Sequence, residues 1–458
     1  MNGINKVKAY LKRYGVVKLC HKAIESRMNF NSYNIERLSE IITEEEIEDQ
    51  KKHIFDRKPI ISIVVPVYNT ERDALIQTLN SVKLQTYPGW QLCIADAGNE
   101  KRKDVIDMVF QDDSRISYID VPVNLGISGN TNKAMEAANG EYVAFLDHDD
   151  ILEPDALFEI VCMIEKGFEI IYTDEDKVTD DLEFYYKPYR KPDFNKNLIL
   201  SNNYICHFTV IKKSIVDEIG LLRSEYDGAQ DYDYILRAIE KTEKIGHVAR
   251  VLYHWRAGER STSSNPFNKE YAFDAGKRAL EDYIVRNGIG GVKVAQMDDP
   301  GYYRIRCGRK GNLSVSTVID GQITNRDCDY YLLLDGNMII NNSDIDKMLK
   351  RAYFTGADVI VPKIITSDGR YLYNGIAKAG AGHTKSLAGK KAWFKGEFNL
   401  AITNMDVHVV PSIGILIKKQ LYNKDFKGEK FHLNSLKGLY KGIRMVYAPE
   451  STIVKQVE

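Results

Sequence analysis

Short apolar runs and helical patterns alternate along the chain between residues 60 and 150. The runs begin at Ile60, Trp90, Ile116 and Tyr142, and amphipathic stretches such as 126–138 separate them. The run from Tyr142 to Leu146 has no polar alternation, which is typical of a strand covered on both faces of a parallel sheet. Strands that alternate with helices indicate βαβ units. The pattern therefore predicts an α/β fold in which helices flank a mostly parallel sheet.

Polar side chains follow each predicted strand. They are Tyr68 and Asn69, then Asp96, then Asn124, and finally Asp147, His148, Asp149 and Asp150. In open α/β sheets the ligand-binding crevice lies beyond the carboxyl ends of the strands. We therefore expect these side chains to converge on one site.

Three carboxylates lie within residues 147–150. They repel one another unless a cation or hydrogen-bond donors offset their charge. Because Mg2+ and Mn2+ prefer oxygen ligands of this kind, the cluster predicts a divalent metal site. The alternative is that Asp149 or Asp150 caps a helix beginning near Pro154, for which one aspartate would be enough.

Polar and aromatic residues are also dense between residues 173 and 262. The segments are Thr173–Asp176, Lys187–Pro188, Asn202–Tyr204, Gly228–Asp233, Val251–Arg256 and Ser261–Thr262. Loops of this composition are typical of the substrate-binding half of an enzyme.

The N-terminal residues 1–28 carry seven Lys and Arg against one Glu, with apolar residues at roughly helical spacing. This pattern predicts a basic amphipathic helix, which either packs on protein or lies on an anionic membrane surface. An acidic stretch from Glu36 to Asp49 follows. We interpret it as a solvated helical linker.

Composition excludes several classes of protein. A net charge of −1 over 458 residues gives no electrostatic basis for general nucleic-acid binding. The six cysteines form no CxxC pair, so we expect neither disulfides nor zinc, and a reduced cytosolic compartment. The apolar runs are shorter than the roughly 20 residues of a membrane span, so membrane contact would be peripheral.

The chain also repeats itself. Residues 329–340 follow the pattern of residues 141–152, which predicts a duplicated unit. Asn337 and Met338 take the places of the last two aspartates of the first copy, so Asp335 stands alone. We expect a degenerate module that serves packing or binds a partner, an acceptor or another copy of the chain.

These residues occur in an order that resembles inverting family 2 glycosyltransferases of the GT-A fold, strongly over residues 59–306 and weakly over 307–458. The matching motifs are Pro66–Asn69, Asp96, Asn124–Gly126, Asn132, Leu146–Asp150, Tyr172–Asp176, Gln230–Asp233, and His254–Arg256 with Ser261–Thr262. Within that family the chain is similar to the branch often called rhamnosyltransferases, which assemble bacterial O-antigens, capsules and cell-wall polysaccharides.

The resemblance implies an α/β chain in three segments. Residues 1–58 would be the helical segment with its linker. Residues 59–299 would be a catalytic, Rossmann-like GT-A domain, and residues 300–458 a degenerate, partial GT-A-like α/β domain without the metal motif.

The resemblance also implies roles for single residues. The nucleotide would be held by Pro66, Val67, Tyr68, Asn69, Asp96, Asn132, Asp147 and His148. Asp149 and His254 would bind Mg2+ or Mn2+, and for His254 a packed, hydrogen-bonded core position is an equal alternative. Asp231 would be the general base, the alternative being a cap for the helix beginning near Tyr232.

The implied sugar and acceptor contacts are Asp174, Asp176, Lys187, Asn203, Tyr204, Gln230, Trp255 and Arg256. The sequence departs from the family at one position, because relatives often have Arg where Thr131 stands. Lys133 or Arg256 would then supply the phosphate contact.

The function implied is metal-dependent, inverting transfer of a sugar from a UDP- or dTDP-sugar to a growing, lipid-linked bacterial surface glycan. The location implied is the cytoplasm, at the inner face of the plasma membrane if residues 1–28 bind lipid. One rival is a non-catalytic scaffold that binds glycan or nucleotide. A second is a sugar nucleotidyltransferase, which usually has a Gly-rich loop with Arg and Lys after the first strand, whereas residues 66–70 contain none.

Overall fold

The computed structural model describes residues 33–257, 270–308, 311–422, 433–435 and 442–457. It divides into two compact units, Met1–Phe194 with Ile205–Tyr283, and Asn195–Tyr204 with Ile284–Glu458. The basic segment 1–28 and the pair Ser261–Thr262 lie outside the described residues. The sequence suggested a boundary at 299/300, whereas in this division the second unit begins at Ile284 and also includes the internal segment Asn195–Tyr204.

The first unit is built on nine strands. They are β1 Ile61–Val67, β2 Trp90–Asp96, β3 Ile116–Asp120, β4 Tyr142–Phe145, β5 Ile151–Leu152, β6 Ile170–Val178, β7 Tyr185–Tyr189, β8 Thr209–Lys212 and β9 Ile245–Arg256. Their order is β3-β2-β1-β4-β8-β6-β9-β5, with β7 paired to β6. Strands β3, β2, β1 and β4 are mutually parallel, whereas β8 runs antiparallel to both neighbours. The α/β prediction is confirmed, and the carboxyl ends of β1, β2 and β4 lie at one edge.

The helices of the described chain complete the layers. They are α1 Tyr33–Leu38, α2 Glu44–Lys52, α3 Arg72–Lys83, α4 Lys103–Phe110, α5 Gly126–Glu136, α6 Ala156–Glu165, α7 Lys196–Ile199, α8 Lys213–Ile219, α9 Gln230–Ala238, α10 Glu270–Arg286, α11 Asn342–Thr355 and α12 Lys419–Tyr422. Leu75, Leu79 and Val82 of α3 follow helical spacing and are fully buried in the core that contains β1 and β2. Within the described ranges, no helix combines the length and the apolar character that crossing a bilayer requires.

The linker of the first unit is only partly solvated. Helix α2 begins with a capping box between Thr43 and Glu46 and buries no residue, as a solvated helix would. Helix α1, by contrast, packs on the unit. The buried hydroxyl of Tyr33 donates to Asp176 Oδ2 at 2.7 Å, and Arg37 pairs with Glu153. The prediction of a solvated linker is therefore wrong for α1.

The second unit contains the remaining strands. They are β10 Val292–Gln296, β11 Tyr303–Cys307, β12 Val315–Ile319, β13 Gln322–Ile323, β14 Tyr330–Leu334, β15 Met338–Ile339, β16 Val359–Thr366, β17 Tyr371–Tyr373, β18 Lys378–Ala379, β19 Gly382–His383, β20 Met405–Asp406, β21 Val409–Pro411, β22 Ile415–Lys418, β23 Leu433–Ser435 and β24 Met445–Lys455. The main sheet has the order β13-β12-β14-β22-β16-β24-β15.

The two main sheets share one topology over six strands. The series β1-β4-β8-β6-β9-β5 corresponds to β12-β14-β22-β16-β24-β15, with the same parallel or antiparallel sense at every step. Among the residues that the structure describes, no parallel partners like β2 and β3 flank β12, which pairs with the short antiparallel β13 instead. This likeness agrees with the repeat that the sequence suggested.

Candidate active site

A cavity of about 1450 Å³ opens in the first unit at the carboxyl ends of β1 and β4. Its wall includes the loop after β1, the first turns of α3, α5 and α9, and the last residues of β9. Asn124 lines it, together with ten of the residues expected to bind nucleotide, metal or sugar or to act as the base: Pro66, Tyr68, Asn69, Asp147, His148, Asp149, Gln230, Asp231, Trp255 and Arg256. The crevice expected from the strand ends is therefore present.

Two of the three aspartates in the loop after β4 line the cavity, and the third is buried. Asp147 and Asp149 line the cavity, whereas Asp150 is fully buried. Asp150 Oδ1 accepts from the backbone N–H of Arg256 at 2.7 Å, and its Oδ2 accepts from the hydroxyl of Tyr253. Burial, and then the charges of Asp147 and Asp149, raise the pKa of Asp150. Asp150 thus ties the loop to β9, and it does not cap the next helix.

Arg256 fixes the same loop from the other side. Its guanidinium donates to the main-chain oxygen of Asp149 at 2.7 Å, to that of Asp180 at 2.6 Å, and to Gln77 Oε1 at 2.7 Å. Lys133, the other residue expected to replace the missing phosphate-binding Arg, pairs with Glu136 at 2.8 Å and does not line the cavity. Arg256 lines the cavity and Lys133 does not, so the phosphate contact stays a prediction for Arg256.

The chemistry of Asp147 and Asp149 fits a divalent ion shared with a phosphate ligand. Among the described residues, no three His, Cys, Asp or Glu side chains are grouped to hold a metal ion. Mg2+, however, is usually bound by one or two carboxylates together with substrate phosphates. Burial raises the pKa of Asp149, an effect that the charge of Asp147 reinforces. A bound cation would offset both the burial of Asp149 and its repulsion by Asp147.

Asp231 lies in the first turn of α9 and lines the cavity. Its Oδ2 accepts a hydrogen bond from Cys206 Sγ at 3.0 Å. Asp233, two residues on, is fully buried and pairs with Arg223 and with Arg237 Nε, the latter at 3.1 Å. Only the first of these two aspartates is therefore placed to meet a substrate.

Three residues expected at the nucleotide do not line the cavity. Asp96 is fully buried, because the loop after β2 folds over it and donates the N–H groups of Gly98 and Arg102 to its two oxygens at 2.9 and 2.6 Å. Asn132 makes two 2.9 Å hydrogen bonds to the backbone of Leu222. Val67 is buried within β1. Asp96 and Asn132 hold neighbouring loops in place instead.

His254 is a core residue, which is the alternative weighed for it. Its Nδ1 lies 2.6 Å from Asp176 Oδ1 and its Nε2 lies 2.9 Å from Glu153 Oε1, so both ring nitrogens are taken. The side chain is buried and does not line the cavity. The expected role as metal ligand is not supported, because the register of β6 and β9 places His254 beside Asp176.

This cluster predicts a pH-dependent stability. Burial alone would lower the pKa of His254, but the charges and hydrogen bonds of Asp176 and Glu153 outweigh it and raise the pKa to about 9. Because this pKa lies above the ordinary value near 6.5, the stabilisation is complete below that pH and is lost as pH rises through about 9. We expect a loss of about 3 kcal/mol in the free energy of unfolding.

Urea denaturation of the wild type and of His254→Gln between pH 6 and 10 checks this expectation. The difference in unfolding free energy between the two proteins should shrink as pH rises. A difference that stays constant with pH would show that His254 does not carry the effect.

The other sugar and acceptor candidates fall in three places. Asp174 is buried in β6, where its Oδ1 accepts from the backbone of Lys191 and lies 2.8 Å from His247 Nε2. Lys187 is exposed in β7 and does not line the cavity. Asn203 and Tyr204 belong to the second unit, where the hydroxyl of Tyr204 accepts from the N–H of Asn195.

Asp174 and Asp176 differ from expectation because β6 runs on to Val178. The sequence suggested that a loop carries Thr173–Asp176. In the sheet, the histidines of β9 and the hydroxyl of Tyr33 satisfy these carboxylates. That compensation makes an acidic strand stable in a core.

Several cavity residues carried no recognised sequence signal. They are Glu71, Asp73, Gln77, Asp180, Cys206, His207, Asp227, Tyr234 and Tyr271. Asp180 follows an acidic run and could have been found as a further residue beyond a strand end. Cys206 could not, since an isolated cysteine has no characteristic spacing.

In the second unit, a lysine side chain pairs with the aspartate that corresponds to Asp147. Asp335, which follows β14, pairs with Lys455 of β24, the strand that corresponds to β9. The lysine neutralises this carboxylate. The loop after β14 therefore has no need of a metal ion.

Comparison with known proteins finds a family match that lies mostly within the first unit. Residues 62–220 match the family described as Glycosyl transferase family 2. The uncharacterized protein y4gI of Sinorhizobium fredii is 39% identical over 272 residues, which are 57% of this chain and 29% of that protein. The O-antigen biosynthesis protein RfbC of Myxococcus xanthus is 32% identical over 269 residues, 57% of this chain and 21% of that protein. The chain spans less than a third of either relative.

Among solved structures, S. aureus TarS 1–349 in complex with UDP-GlcNAc is 18% identical with a TM-score of 0.41. The likeness covers 49% of this chain and 66% of that one.

Proposed function

We propose that the chain transfers a sugar from a nucleoside diphosphate to a hydroxyl group of a surface polysaccharide, because residues 62–220 match the family described as Glycosyl transferase family 2. The observation that carries the proposal is that Asp147, Asp149 and Asp231 line one cavity. Ligand pockets commonly measure about 300–1,000 Å³. At about 1450 Å³ this cavity has room for a donor and an acceptor together.

The donor would lie between the loops after β1 and β4. Pro66, Tyr68 and Asn69 line the cavity, and the ring of Tyr68 is 41% exposed and thus available to a nucleoside. Asp147 and Asp149 would hold the Mg2+ or Mn2+ that accompanies the diphosphate. When bound, the ion would stabilise the negative charge of the leaving nucleoside diphosphate. UDP- and dTDP-sugars are the donors we propose.

Asp231 would act on the acceptor. A carboxylate that lines the cavity can accept the proton of the acceptor hydroxyl as its oxygen attacks the anomeric carbon. A single displacement, with attack opposite the leaving diphosphate, inverts the anomeric configuration. Gln230 and Trp255 line the same cavity and would contact the sugars.

The acceptor class is proposed from the relatives. RfbC is named as an O-antigen biosynthesis protein, which supports a surface glycan as acceptor. We propose that the growing glycan is lipid-linked. The second unit, with its own sheet of the same topology, would bind a partner or the glycan.

The test is a transfer assay with the purified full chain. UDP-, dTDP- and GDP-sugars are incubated with Mg2+ or Mn2+ and with glycan acceptors, and release of nucleoside diphosphate and sugar transfer are followed. We expect at least one donor to be turned over, with EDTA stopping the reaction. Neither transfer nor slow donor hydrolysis across the panel would contradict the proposal.

A further inference from the structure

A buried lysine forms hydrogen bonds to the main chain of the loop that precedes β8. Lys191 is fully buried and pairs with Glu175 Oε2 at 3.0 Å. The same ammonium donates to the carbonyl of Ile205 at 3.0 Å and to the carbonyl of His207. An ammonium has three protons to donate, and here all three have acceptors. Residues 205–207 are therefore held on both sides of Cys206.

The thiol between these two carbonyls points at Asp231. Cys206 Sγ donates to Asp231 Oδ2 at 3.0 Å, and the Cys206 carbonyl accepts from Thr209 Oγ1 at 2.9 Å. Both Cys206 and Asp231 line the cavity. Burial, and then the charge of Asp231, raise the pKa of the Cys206 thiol well above its ordinary value. At neutral pH the thiol is thus a neutral S–H donor and not a competing nucleophile.

The proposed chemistry gives no role to Lys191, Glu175 or Cys206. Burying an ammonium and a carboxylate is costly unless each finds good partners. Lys191, paired with Glu175, holds the main chain at residues 205–207. The side chain of Cys206, in the middle of this stretch, contacts the carboxylate of Asp231.

We propose that Lys191 and Cys206 are positioning residues for Asp231, with the lysine fixing the loop and the thiol fixing the carboxylate. This inference rests on the proposed function of Asp231 as general base. An aspartate in the first turn of a helix has several staggered rotamers, and a base must lie within hydrogen-bond reach of the proton it takes. A thiol is a weak donor, so it orients the carboxylate while leaving it basic.

The test compares Cys206→Ala and Cys206→Ser in the full chain, with Cys162→Ala as the matched control on α6. In Cys206→Ala we expect kcat to fall about tenfold, the size expected for one hydrogen bond to a charged group. We also expect donor affinity to stay unchanged and the acid limb of the pH profile to move to higher pH, because the carboxylate loses a donor. Cys206→Ser retains a hydroxyl donor and should recover most of kcat, and Cys162→Ala should match the wild type.

Wild-type kcat and an unshifted acid limb in Cys206→Ala would overturn the inference, as would equal losses in the alanine and serine variants. Lys191→Met should lower kcat in the same way, and if it does not fold, Cys206→Ala decides alone. If the wild type itself transfers no sugar, the proposed function fails and this inference fails with it. A transferring wild type with an insensitive Cys206→Ala removes this inference alone.

Discussion

Asp149→Asn is expected to lower kcat about a thousandfold while the protein stays folded, since removing one electrostatic contact to the leaving group has effects of this size. Asparagine keeps the shape of the side chain but loses the charge that would bind the divalent ion. Arg256 contacts the main-chain oxygen of Asp149, so the substitution leaves that contact in place. The measurement is steady-state transfer at saturating Mn2+, together with thermal denaturation.

The matched control for this variant is Asp335→Asn in the second unit. Asp335 occupies the corresponding point of the repeated topology but pairs with Lys455. This control should retain the transfer rate of the wild type. Full activity in Asp149→Asn would remove Asp149 from the metal role, and equal losses in both variants would point to a general effect on folding.

Asp231→Asn is expected to lower kcat by about 10²–10⁴-fold, the usual contribution of a general base. Asparagine cannot take a proton, yet its amide oxygen can still accept the hydrogen bond of Cys206. Donor affinity should therefore remain that of the wild type. Single-turnover transfer and donor binding, measured on the same preparation, separate the two effects.

The control for Asp231→Asn addresses the alternative that the residue only caps α9. If capping were its role, the variant would lose stability, by about 1 kcal/mol, and keep its turnover. Asp217→Asn on α8, whose side chain is 61% exposed, should change neither property. Turnover that survives in Asp231→Asn would mean that another group is the base.

The parts of the fold that sequence predicts best are those set by local pattern. The apolar runs of β1, β2 and β4 lie where expected, and α6 begins at Ala156, close to Pro154, where a helix was expected. The expected crevice follows from the same pattern, because polar residues just beyond parallel strands share one edge. Asp147 and Asp149 line the cavity for that reason, whereas Asp231 reaches it from the first turn of α9.

The parts that sequence could not supply depend on pairing between distant strands. His254 lies beside Asp176 only because β6 and β9 pair in one particular register. No local sequence pattern predicts that register, so the sequence could not decide whether His254 binds a metal ion or packs in the core. The same holds for Asp174, whose partner His247 comes from β9.

The fate of the third aspartate in the loop after β4 shows a related difficulty. In sequence Asp150 looks the same as Asp149, and only the hydroxyl of Tyr253 and the backbone of Arg256 separate their roles. The repeat was a partial guide, because residues 329–340 keep the strand but lack the last two carboxylates. It did not reveal Lys455, which lies 120 residues from Asp335 in the chain.

The most direct test of the central claim is isothermal titration of nucleoside diphosphate into the wild type and Asp149→Asn, each with Mn2+ and with EDTA. We expect the wild type to bind UDP or dTDP much more tightly with Mn2+ than with EDTA. We also expect Asp149→Asn to lose most of this difference. Equal affinity of the wild type under both conditions, or a metal effect unchanged in Asp149→Asn, would contradict a metal-assisted nucleotide-sugar site at Asp147 and Asp149.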